Sequence, residues 1–199
     1  MAFTSSQLSR LFSPSPILRS RELEQAGMLR IEISRFVAEG NLKRLRRGLY
    51  CLPGYKQSEH GDLAIVAKQM PGVLICLITA LRYHELTTQA PSEIWIAINR
   101  KARAPILDYP ALKVLRFSQA MFESGIKTVT IEGVSVKITG IEKTIADCFK
   151  FRNTVGLDVA LEALKEARQR KLIDQNELWF CAKVARVTNV IRPYLEALA

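Results

Sequence analysis

Long apolar stretches, clustered histidines and paired cysteines are all missing from this 199-residue chain. The longest apolar run, Val73 to Ile78, is far too short to cross a bilayer, so no membrane-spanning helix and no membrane partner are expected. No apolar segment follows a basic start near the N-terminus, so a secretory signal is not expected either, and the protein is placed in the cytoplasm. The cysteines Cys51, Cys76, Cys148 and Cys181 form no C-x-x-C pair, and only His60 and His84 could join them around zinc. Each cysteine has apolar neighbours. Buried thiols in a reducing compartment are therefore the expectation, with no metal and no cofactor.

Catalytic signatures are equally scarce. There is no phosphate-binding glycine loop, and no serine lies in a recognisable nucleophile motif with His and Asp partners. A metal-dependent nuclease strand would carry an acidic residue two positions before a lysine, and no D-x-K or E-x-K triplet occurs. Asp147 lies on a predicted helix, where a structural pairing with Arg82 or Arg152 is the expected role. His84 reads as a hydrogen-bonder at a helix end, and Trp95 and Trp179 as core anchors. The chain is not expected to be an enzyme.

What the chain does have is positive charge. Twenty-nine Lys and Arg against 19 Asp and Glu leave a net charge of +10. The first 60 residues hold 10 basic and 5 acidic side chains, so the excess per residue is highest there. Such a balance favours a polyanionic partner.

Periodicity in that same region predicts helix, helix, helix, hairpin. Leu8, Leu11 and Phe12 fall at helical spacing over 5–12, ended by Pro14 and Pro16. Ser20 is expected to cap a helix over 21–26, closed by Gly27. A third helix is predicted from about Leu29 to Glu39, with Leu29, Ile33, Phe36 and Val37 as its core stripe and Gly40 as its stop. Its start lacks a Ser, Thr, Asp or Asn cap. Two short strands, 42–45 and 49–52, then flank Arg46-Arg47-Gly48, and Pro53-Gly54 reads as a linker.

Farther on, Ser58 is expected to cap a helix reaching Met70. Strands are predicted over 73–76, 94–98, 112–117, 128–131 and 134–138, the last two joined at Glu132-Gly133. Thr139 and Glu142 have the spacing of a capping box for a helix through Phe149. Helices over 157–170, 177–185 (after Asp174, a second D-x-x-E cap) and 190–198 complete the pattern. The fold class is thus α+β: a winged helix-turn-helix over 1–55, then a mixed α/β domain over 56–199 with a helical tail.

Two helices joined by a glycine turn make a helix-turn-helix, whose second helix enters the major groove of DNA. With the core stripe turned inward, Ile31, Ser34, Arg35 and Ala38 face outward, with Arg30 beside them. A long cationic donor (Arg35), small residues and an apolar contact for a thymine methyl (Ile31) suit a groove. Any amphipathic surface helix exposes some arginine and serine, so this face alone decides little. The continuation decides more: Lys43, Arg44, Arg46 and Arg47 lie on the hairpin that follows directly, where a wing meets phosphates or the minor groove. The candidate DNA-binding residues are Arg30, Ile31, Ser34, Arg35, Lys43, Arg44, Arg46 and Arg47, and double-stranded operator DNA is the expected partner.

Several segments together resemble the AbiEi-family antitoxins. They are Leu23-Glu24-Gln25-Ala26-Gly27, the run from Arg35-Phe36-Val37-Ala38-Glu39-Gly40-Asn41-Leu42 to Tyr50, Ala80-Leu81-Arg82-Tyr83-His84-Glu85-Leu86, Pro91-Ser92-Glu93-Ile94-Trp95-Ile96, Glu142-Lys143-Thr144-Ile145-Ala146-Asp147 and Arg192-Pro193-Tyr194-Leu195. The resemblance implies a regulator in a bacterial toxin–antitoxin operon with a phage-defence role. Its winged helix would bind repeats in its own promoter and repress it. Its C-terminal domain would counter an AbiEii-type nucleotidyltransferase toxin without a stable complex. Two other readings stay open: a winged-helix regulator whose C-terminal domain senses a ligand or dimerises, and a nuclease-related enzyme, against which the missing acidic-x-Lys triplet counts.

Overall fold

Each of the first three helices opens with a backbone amide answered by a carboxylate or amide side chain three residues ahead. Thr4 caps α1 (Ser5–Leu11): its Oγ1 accepts from the Gln7 amide, and the Gln7 side chain accepts from the Thr4 amide at 2.8 Å. After β1 (Ile17–Arg19), Glu22 accepts from the Arg19 amide at 2.7 Å and opens α2 (Ser20–Gln25). Glu32 does the same for Leu29 at 2.9 Å ahead of α3 (Arg30–Ala38). These back-bonds satisfy amides that a helix leaves orphaned at its start. Ser20 is thus the first helical residue of α2 and not its cap, and α3 needs no Ser or Asp before it because Glu32 supplies the acceptor.

The computed structural model describes residues 3–107 and 109–198, and the backbone clusters into two units. The first comprises 1–71 together with 130–136; the second comprises 72–129 and 137–199.

In the first unit, α3 is followed by β2 (Lys43–Arg46) and β3 (Leu49–Cys51), which pair antiparallel with an irregularity between Arg44 and Arg46. β1 adds antiparallel to the other side of β3, giving the order β1-β3-β2. The sequence α1-β1-α2-α3-β2-β3 is a winged helix-turn-helix. Leu8, Phe12, Leu18, Leu23, Met28, Ile33, Phe36 and Leu42 form its core. Truncating Phe36, buried in the last turn of α3, would cost about 3–5 kcal/mol. Ile17 and Leu49 pack with Ile65 of α4 (Gly61–Gln69), which begins past a turn at Ser58 and not at a Ser58 cap. α4 is also tied to α2 and β1: Lys68 Nζ stands 2.7 Å from Glu22 of α2, and the guanidinium of Arg19 in β1 donates to the Gln69 carbonyl.

Residues 130–136 complete this unit through Glu132. Its carboxylate accepts from the Tyr55 hydroxyl at 2.5 Å and from the Ser58 amide at 2.7 Å, and its carbonyl accepts from Ser15 Oγ at 3.3 Å. Burial and the neighbouring carboxylate together push the Tyr55 hydroxyl well above the ordinary tyrosine range.

The second unit holds β4 (Leu74–Ile75), α5 (Leu77–Tyr83), β5 (Ile94–Asn99), β6 (Leu112–Phe117) and α6 (Gln119–Glu123). The hairpin β7 (Ile126–Ile131) and β8 (Val134–Thr139) follows, its tip at 130–136 counted in the first unit, then α7 (Ile141–Lys150), α8 (Arg152–Val155), α9 (Leu157–Gln169), α10 (Gln175–Ala185) and α11 (Thr188–Ala197). Strand order is β6-β5-β4-β8-β7, with β4 antiparallel to β5 and parallel to β8, and β5 parallel to β6. Both faces of β5 are buried, as its unbroken run Ile-Trp-Ile-Ala-Ile requires. The helices cover a core that includes Phe117, Phe149, Ala163, Leu164, Leu178 and Ile191.

Two expectations about α7 change. Thr139 stays in β8, its Oγ1 2.6 Å from Thr144 Oγ1, so it does not cap the helix, and Gly140 precedes α7 without a side-chain cap. Glu142 accepts instead from the Asp174 amide at 3.0 Å. Asp147 pairs with neither Arg82 nor Arg152 but with Lys143, one turn earlier, at 2.8 Å. The pair is almost wholly buried, and the Lys143 ammonium also lies 5.1 Å from the Phe117 ring centroid. Asp174 does cap α10, accepting from the Asn176 and Glu177 amides. His84 ends α5 with Nε2 donating to the Thr139 carbonyl at 2.7 Å, and burial lowers its pKa. All four cysteines are buried and unpaired. Among the described residues, no helix is long and apolar enough to cross a membrane.

Candidate nucleic-acid interface

The turn between α2 and α3 sets the angle at which α3 is presented. Gly27 has φ +95°, a conformation that a side chain would strain. It lets the Met28 amide reach back to the Leu23 carbonyl at 3.0 Å, closing α2. Met28 is then driven into the core, 1% exposed, and the chain leaves directly into α3.

On α3, Glu32, Ile33 and Phe36 are buried. The Glu32 carboxylate accepts from the Leu29 and Phe3 amides, which holds its pKa below the usual carboxylate range. The opposite side carries Arg30, Ile31, Ser34, Arg35 and Ala38, all exposed. The sequence also predicted Leu29 in the core stripe, four residues before Ile33. It is 64% exposed, because it lies outside the helix in extended backbone (ψ 151°) and its side chain does not follow the helical direction.

The eight candidate residues do not all stand alike. Arg30 Nε stands 2.8 Å from Glu24 Oε1 on α2, an ion pair that holds the guanidinium charged and turned toward the preceding helix. The Ser34 hydroxyl donates to the Arg30 carbonyl at 3.2 Å. Arg35 lies 3.7 Å from Glu39, with its guanidinium carbon 5.4 Å from the Phe36 ring centroid. The wing follows α3 after a tight reversal in which the Asn41 and Leu42 amides both bond the Phe36 carbonyl. Lys43, Arg44, Arg46 and Arg47 are all exposed on it, and Arg46 Nη1 donates to the Leu45 carbonyl at 2.8 Å.

The outward face of α3 and the wing thus bring five exposed cations besides Arg30 into one unit. Such a surface can neutralise phosphates while the helix meets base edges. Sequence reasoning did not single out Glu24 or Leu29 as part of this face. Glu24 precedes Arg30 across a turn, a spacing with no helical signature, and Leu29 fits the core stripe in sequence. Among the described residues, no group of three or more His, Cys, Asp or Glu side chains could hold a metal ion.

Residues 6–53 match the family model described as transcriptional regulator, AbiEi antitoxin. The match runs from α1 to just past β3, so the AbiEi resemblance drawn from the sequence is shown for the winged helix-turn-helix. Among solved structures, the RV2827C protein from Mycobacterium tuberculosis is similar with a TM-score of 0.56 and 13% identity, over 91% of this chain and 72% of its own. That likeness is one of α+β fold. No curated protein matches the chain.

Proposed function

We propose that this chain is a DNA-binding autorepressor and antitoxin of a bacterial toxin–antitoxin operon, acting in the cytoplasm without catalysis. The observation that carries the reading is the exposed face of α3 beside the arginine-rich wing, within a segment matched by the AbiEi regulator model. In this reading Arg35 reads base edges and Lys43, Arg44, Arg46 and Arg47 hold the phosphate backbone. Residues 1–55 serve DNA binding. Residues 56–199 counter a nucleotidyltransferase-like toxin of the AbiEii type, without a stable complex between the two proteins.

The test is binding of the full chain to a duplex from upstream of its own gene, followed from low to high salt. Each phosphate neutralised by Lys or Arg releases counterions, so affinity falls steeply as salt rises. Specific binding with that slope supports the reading, and its absence overturns it. The division of labour is tested in the full chain with Arg46→Ala/Arg47→Ala. Repression of a promoter fusion is expected to fail while growth in the presence of the neighbouring toxin is still rescued. Loss of both activities from a folded variant would overturn the division.

A further inference from the structure

The outward stripe of α3 carries its bulk at one end. At 100° per residue, Ile31, Ser34 and Ala38 line up along the middle of the exposed face, opposite Glu32, Ile33 and Phe36. Ser34 and Ala38 are short, and the Ser34 hydroxyl is turned back onto its own helix. Ile31 is 76% exposed, and Leu29 just before it is 64% exposed. The cation between them, Arg30, is drawn aside to Glu24. The first turn of α3 therefore offers exposed hydrocarbon beside Arg30, in the unit that also carries the exposed cations Arg35, Lys43, Arg44 and Arg47.

A surface of that charge selects a polyanion, and exposed aliphatic side chains on the same helix as Arg35 need an apolar feature on the same polyanion. In the major groove of duplex DNA the base edges present one such group, the C5-methyl of thymine. Residues in the N-terminal part of a recognition helix are also those that contact base edges. We propose that Ile31, flanked by Leu29, reads thymine methyl groups in the operator, and that Ser34 and Ala38 let the helix approach closely enough for van der Waals contact. The inference rests on the DNA-binding reading above and adds what α3 recognises: a 5-methylpyrimidine, by apolar contact. Glu24 contributes by holding Arg30 out of that contact.

The experiment compares two forms of the upstream duplex, one with thymine and one with uracil at every thymine position, which differ only in the C5-methyl. Wild type, Ile31→Ala and Ile31→Val full-length proteins are titrated against both. Ile31 is exposed, so neither change removes a core contact. Wild type is expected to bind the uracil duplex about fivefold more weakly, the size of one buried methyl contact. Ile31→Ala is expected to bind the thymine duplex about fivefold more weakly than wild type and to lose the discrimination, while Ile31→Val keeps most of it. Discrimination of the same size in Ile31→Ala and wild type, or none in wild type that still binds specifically, overturns the methyl contact and leaves DNA binding standing. Failure of wild type to bind either duplex overturns the DNA-binding reading itself.

Discussion

Arg30 Nε stands 2.8 Å from Glu24 Oε1, so the first residue of α3 is tied to the helix before it by a solvent-facing ion pair. An exposed pair of this kind adds little to stability. Its effect is on where the arginine points. Glu24→Gln is expected to leave thermal unfolding nearly unchanged and to release Arg30 toward the backbone of bound DNA. Affinity for random-sequence DNA should rise, and the dependence of log K on log salt should steepen by about one. An unchanged salt slope in anisotropy titrations would show that Arg30 meets no phosphate even when freed.

Arg35 and the wing arginines are expected to fail in different ways. Arg35→Ala should cost about 1–3 kcal/mol against the operator and little against scrambled duplex, relaxing specificity. Arg46→Ala/Arg47→Ala should weaken both duplexes alike and make the salt slope shallower by roughly two. If Arg35→Ala weakens both duplexes equally and the double variant loses only operator preference, the wing is the reader and the helix the anchor.

Asp147 predicts a pH dependence of stability. Burial raises its pKa to about 6, against the opposing pull of Lys143. Between about pH 4 and pH 6 the folded protein keeps a proton that the unfolded chain has released. Stability from this group is therefore highest near pH 4, falls as pH rises through 6, and levels off above, by at most about 3 kcal/mol. Asp147→Asn cannot ionise, so its stability should lack that decline. Urea unfolding from pH 4 to 7 measures both, and parallel curves would rule out Asp147 as the source.

Gly133 is expected to matter to the winged helix although it lies far from it in sequence. Its φ is +68°, and a Cβ placed there would sit 2.0 Å from the Pro14 carbonyl oxygen. Gly133→Ala thus combines left-handed strain with a clash against backbone, together about 2–4 kcal/mol. Protease sensitivity should rise within residues 1–71. A melting temperature equal to wild type would contradict the packing described.

Much of this was legible in the sequence, and the gaps have physical causes. The wing declared itself because two strands around Arg47-Gly48 leave one turn to make. β1 did not, since Ile17-Leu18-Arg19 is too short for alternation to show and owes its strand form to pairing with β3. The exposed positions on α3 followed from helical spacing, whereas Leu29 broke the pattern by lying one residue outside the helix. Thr139 and Glu142 had capping-box spacing but were claimed by tertiary partners, Thr144 and Asp174. The partner of Asp147 was a lysine four residues earlier, a spacing that on an exposed helix would mark a surface pair; only burial by neighbouring elements makes it an interior one.

Glu132 and Gly133 carry one more consequence, for synthesis. The unit that holds the winged helix is not continuous in sequence, because it takes in 130–136 after the chain has run through 72–129. At about 5–20 residues per second, a ribosome needs roughly 3–12 s to translate that intervening stretch. During that interval Tyr55, Ser58 and Ser15 await their acceptor on a nascent chain. The unit around the basic wing is completed only once most of the protein has been translated, so a product broken off before residue 130 would carry the whole wing without the segment that closes its unit.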